Sequence, residues 1–246
     1  MVFLRILMIG MFLLSTTPIH SNASDLTSSI TYNNTIAIAV PLTDIQIDGD
    51  LSDWPSDLPI YKLRERWDNK GPFDTIGALL DTSADFNPYF RVGYNLQYRS
   101  LYVAIETRDD TLHTGDASEI YLHTTEDLKQ NPLHFLREYH EGEVDISNNL
   151  DFLDALFFTD KHLAESGTKV AVEHLNNITI YEWSLKLPDH IVEKLAHAHT
   201  EVRIRLDVNL ADIDNDDGEG NLYLSWSPGS EKDGNALALG GLVFAE

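Results

Sequence analysis

The chain contains no cysteine. No disulfide can staple it, no thiolate can hold a metal, and no cysteine is present to carry the lipid of a bacterial lipoprotein anchor. Basic residues are scarce as well: 17 Lys and Arg face 40 Asp and Glu, a formal charge of −23 with neutral His. A field of that sign repels nucleic acid and anionic membrane. It suits cations, neutral ligands such as sugars, or basic protein partners. Long apolar runs are missing too, apart from one near the start, and that one is too short to span a bilayer comfortably. Helical periodicity is nearly absent.

What is present begins with an address. Residues 1–23, "MVFLRILMIGMFLLSTTPIHSNA", combine one Arg (Arg5), an apolar run ending near Leu14 and a small-residue exit at Ser21-Asn22-Ala23. This is the layout of a cleaved secretory signal, so the expected location is secreted or periplasmic, with no membrane span after cleavage. Residues 24–40 read as a polar linker running into a first strand at "IAIAV". Residues 41–246 are long enough for one well-buried domain.

Along that domain, apolar and polar residues alternate with period two. Strands are expected at 90–95 and 101–107, a hairpin-like pair in which Leu101, Val103 and Ile105 share one face. Further strands are expected at 119–124, 154–159, 169–175, 179–187, 202–210, 222–226 and 241–246. In "VRIRLDVNL", Ile204, Leu206, Val208 and Leu210 line one side, and Arg203, Arg205, Asp207 and Asn209 the other. Only 188–199 reads as helix, started by Pro188 and Asp189. The fold class is therefore all-β, an antiparallel, jelly-roll-like β-sandwich with one short helix. In "IDGDLSDW", Gly49 suits a tight turn and Trp54 an anchor into the sandwich. Trp183 and Trp226, within strands, are expected in the core.

Seven segments occur in a telling order: "IQIDGDLSDWP" (45–55), "FRVGYNLQYRSLYVAIETRDD" (90–110), "GDASEIYLH" (115–123), "YEWSLKLP" (181–188), "DVNLADIDNDDG" (207–218), "LSW" (224–226) and "LGGLVFAE" (239–246). Together they resemble the family 9 carbohydrate-binding module and its looser relatives, which include ectodomains of bacterial signalling proteins. The resemblance spans residues 41–246. It implies a non-catalytic domain that binds poly- or oligosaccharide and carries structural calcium.

"ADIDNDDGEGN" (211–221) places five carboxylates within eight residues. Calcium takes six to eight oxygen ligands, which acids spaced two apart on a turning loop can supply. The EF-hand spacing is not met, so a strand-to-strand loop is the expected setting. A solvated acidic turn is the competing reading. The candidate calcium ligands are Asp110, Asp212, Asp214 and Asp216. The family clamps a terminal sugar between two tryptophans. Here the first position offers His113 and the second, in "EKDGNALALGG", no aromatic residue at all. The candidate ligand residues are His113, Glu119, Arg137 and Trp67. A relative of the fold binds haem through Met, but Met1, Met8 and Met11 all lie in the leader.

No nucleophile-elbow, zincin or phosphate-loop pattern occurs, so no catalysis is expected. A second reading stands beside the sugar-binding one: a periplasmic or extracellular sensing or protein-interaction module that kept the fold without the tryptophan clamp.

Overall fold

The computed structural model describes residues 35–63, 65–66, 86–139, 167–197, 201–213, 222–228, 232 and 234–245. These form twelve strands and one α-helix: β1 (Ile36–Pro41), β2 (Tyr61–Lys62), β3 (Glu65–Arg66), β4 (Tyr89–Asn95), β5 (Ser100–Arg108), β6 (Ala117–His123), β7 (Leu133–Glu138), β8 (Lys169–Leu175), β9 (Ile178–Lys186), α1 (Asp189–Ala196), β10 (Arg203–Asp212), β11 (Leu222–Ser225) and β12 (Gly240–Phe244). The strand expected at 154–159 lies outside the described residues.

Two sheets face each other. The first runs β7-β6-β10; the far edge of β10 is shared, with β12 along residues 203–206 and β11 along 209–212, and β3 flanks β11. The second runs β8-β9-β5-β4, and the far edge of β4 is shared by β2 and β1. β1 belongs to both sheets: residues 36–39 lie along β12 and residues 40–41 along β4. Both of these pairings are parallel and all the others antiparallel, so the sheet is mixed rather than purely antiparallel.

The alternation works as expected because each sheet turns its apolar row to the core between them. Phe90, Val92, Leu101, Val103, Ile105, Tyr181 and Trp183 of the second sheet meet Ile120, Leu122, Ile204, Leu206, Val208 and Leu210 of the first. Trp226, just after β11, stands edge-on to Phe90, with ring centroids 5.3 Å apart. It packs so tightly on Gly240 that a Cβ there would lie 2.6 Å from the indole. α1 starts at Pro188 and buries Ile191 in the same core.

A second, smaller cluster covers the outside of the second sheet. The segment after β1 folds back so that Leu42 and Trp54 pack on Tyr102 and Ala104. Trp54 Nε1 donates to Glu182 Oε1 at 2.8 Å, and the backbone N–H groups of Asp48 and Gly49 donate to Glu182 Oε2 at 2.9 Å each. Gly49 has φ +87°, and a Cβ there would sit 2.9 Å from Glu173 Cβ. The glycine in "IDGDLSDW" is thus required twice, by its left-handed backbone and by close approach.

Candidate functional site

Two polar groupings stand out where the first sheet meets its loops. The first is acidic. Asp109 follows β5, Asp116 precedes β6 and Asp212 ends β10; one carboxylate oxygen from each lies within 4.8 Å of the others. Strand parity explains the convergence. Residues 101, 103 and 105 face the core, so Asp109 continues that inward row while Asp110 points out and is exposed. Each carboxylate in the cluster is largely buried, and two are held in place by hydrogen bonds. Asp109 accepts from Thr179 Oγ1 at 2.8 Å and from the Thr111 N–H at 3.0 Å. Asp116 accepts from the N–H groups of His113 at 2.6 Å and Ile213 at 2.7 Å.

The electrostatics fit crowded carboxylates. Burial, and then the charge of Asp109, push Asp116 up to about 7, although the His113 and Ile213 N–H groups pull the other way. The wholly buried Tyr181 phenol is raised well above its ordinary value, by burial first and then by Asp116, Asp109 and Asp212, with Arg137 opposing them. Three hard oxygen donors in reach of one point are suited to a divalent cation of the calcium type.

The second grouping lies on the face of the first sheet turned away from the core. Cross-strand register sets its rows. Leu136, Glu119, Asn209 and Ser225 form one row, and Glu138, Ala117, Ala211 and Tyr223 the next. Glu119 Oε2 accepts from Tyr121 Oη at 3.1 Å and Asn209 Nδ2 at 3.3 Å, with His134 Nε2 at 3.8 Å. The His134 ring stacks on Tyr121, with centroids 4.3 Å apart and planes 10° from parallel. Ala117 and Ala211 put little bulk between Glu138 and the half-buried Tyr223 in that row. Burial and the charges of Glu119, Glu138 and Asp116 raise the Tyr223 phenol to about 12.

Of the sequence-derived ligand candidates, Glu119 stands on this outer face. His113 does not: its N–H braces Asp116, and among the described residues its buried Nδ1 has no hydrogen-bond partner. Arg137 is paired in register with Ser118, whose hydroxyl accepts from Trp183 Nε1, so it lies on the core-facing side of β7 with the acidic cluster. Trp67 lies outside the described residues. Of the metal candidates, Asp212 belongs to the cluster, Asp110 is exposed beside it, and Asp214 and Asp216 lie outside the described residues. Asn209, Tyr121, His134 and Tyr223 are not among the sequence-derived candidates; Tyr121 shares strand parity with Glu119, and that parity was the available signal.

No family model matches this sequence, and no curated protein sequence matches it. Solved structures do. A family 9 carbohydrate-binding module from Caldicellulosiruptor kristjanssonii, in complex with cellotriose, superimposes with a TM-score of 0.55 at 12% identity, over 85% of this chain and 93% of that one. A family 9 module from the same organism, in complex with glucose, gives 0.53 at 12% identity, over 85% and 95%. The chain shares the β-sandwich fold of these two modules.

Proposed function

We propose that this protein is an exported, non-catalytic carbohydrate-binding domain whose ligand lies across Glu119, Glu138 and Tyr223, with calcium at Asp109, Asp116 and Asp212 bracing the adjoining loops. The observation that carries the reading is the Glu119 carboxylate, partly exposed at 15% and held by Asn209 and Tyr121 beside the phenol of Tyr223. A sugar ring offers C–H patches to an aromatic face and hydroxyl donors to carboxylates, and this arrangement supplies both kinds of partner. The shared fold with modules solved in complex with cellotriose and glucose supports the same class of ligand. Export is supported by the leader pattern of residues 1–23. No helix among the described residues is long and apolar enough to cross a membrane. In the acidic cluster, a cation would compensate carboxylates that otherwise repel one another.

The test is a broad glycan array probed with residues 24–246, in calcium and again in chelator, alongside E119Q and Y223A. Binding to one glycan class that both substitutions abolish supports this reading. Silence of folded protein across the whole array overturns it and moves the assignment to a sensing or protein-interaction module.

A further inference from the structure

Lys232 has no exposed surface at all. Its ammonium donates to Asp207 Oδ2 and, at 2.9 Å, to the Ser227 carbonyl; Asn209 Oδ1 lies 3.5 Å away. Three protons thus meet three acceptors. Asp207 is equally buried, and its other oxygen accepts from the Ser227 N–H at 2.8 Å. An ion pair this deep adds little net stability, because both charges are desolvated. Its effect on orientation is larger. With the Asn209 carbonyl turned to the ammonium, the amide nitrogen is turned to Glu119 Oε2, 3.3 Å away. The flipped amide would set N–H against ammonium and carbonyl against carboxylate, unfavourable at both ends.

We propose that Lys232 is a positioning residue for the saccharide face: acting through Asn209, it fixes the carboxylate of Glu119 in its binding orientation. This rests on the reading of that face given above. The ammonium never reaches the surface, so it acts on the ligand through the residues it holds, and Asn209 links it to Glu119.

Two measurements test it. In ¹⁵N NMR of the ligand-free protein, the Asn209 side-chain amide hydrogens exchange slowly in wild type and fast in K232M; unchanged exchange in K232M overturns the proposal. With cellotriose as the probe in calorimetry, E119Q and K232M each weaken binding by about tenfold, and K232M/E119Q by no more than either alone. Losses that multiply to about a hundredfold mean independent effects, and they overturn it too. K232M leaves Asp207 buried without its counter-charge, so K232M/D207N, which is neutral and keeps an acceptor for the Ser227 N–H, is measured in parallel with the same expectations. If wild-type protein is silent on the whole array, the saccharide reading falls, and the exchange measurement alone decides whether Lys232 orients Asn209.

Discussion

Thr179 Oγ1 donates to Asp109 Oδ2 at 2.8 Å from a position with no solvent exposure. The hydroxyl has one hydrogen and spends it on the carboxylate. His174 Nδ1, 2.8 Å from the same oxygen, is then the donor to it. The relay orients Asp109 toward Asp116 and Asp212. Thr179→Val keeps the shape and deletes the donor. It is expected to weaken calcium binding by about tenfold or more, with Thr179→Ser close to wild type. Titration calorimetry on chelator-stripped protein measures both.

Asp116 gives the metal-free protein a pH signature. Its carboxyl is raised from 3.8 to about 7, mainly by burial. A group raised on folding stabilises the fold fully below its unfolded value, and that contribution is lost as pH rises through the folded value. In chelator, wild-type protein should therefore lose thermal stability relative to D116N between about pH 4 and pH 7. Calcium should restore it, most strongly above that window. Thermal scans across pH, with and without calcium, check this; a flat difference between wild type and D116N in chelator would show an ionised carboxylate already compensated.

Trp54 both packs on Tyr102 and donates to Glu182. The two roles separate. Trp54→Ala should destabilise by about 3–5 kcal/mol through lost packing. Trp54→Phe keeps much of the packing and leaves one Glu182 oxygen without its donor, for about 1–3 kcal/mol. Urea unfolding at neutral pH distinguishes them.

Gly240→Ala should destabilise by about 1–3 kcal/mol, because the new methyl lands 2.6 Å from the Trp226 ring and 3.1 Å from the Thr35 carbonyl oxygen. Gly234→Ala is the control, with nothing within 4 Å of its would-be Cβ.

Period-two reading located β4, β5, β8, β9 and β10 because each sets an apolar row toward the core between the sheets, and that packing imposes the alternation. Extending the same parity one step beyond β5 separates the buried Asp109, which joins Asp116 and Asp212, from the exposed Asp110 beside it. Arg205, Asp207 and Asn209 alternate as a solvent-facing row should, yet all three are buried. The reason is non-local: the chain after β11 lies over them, with Ser227 Oγ donating to the Ala238 carbonyl, Arg205 Nη1 to the Leu239 carbonyl, and Lys232 on Asp207. Lys232 sits among polar residues in "SEKDGN", and nothing local marks it as the most deeply buried cation of the described residues. The parallel pairing of β1 was equally hidden, since strand direction depends on partners more than fifty and two hundred residues away.

That pairing has a mechanical meaning. β1 and β12 run in the same direction, Ile36 beside Gly241 and Ala39 beside Phe244. Tension that draws residue 35 and residue 245 apart pulls these strands lengthwise past each other. Every rung between them resists at once instead of unzipping singly. Because β1 also grips β4, the same pull loads both halves of the sandwich together.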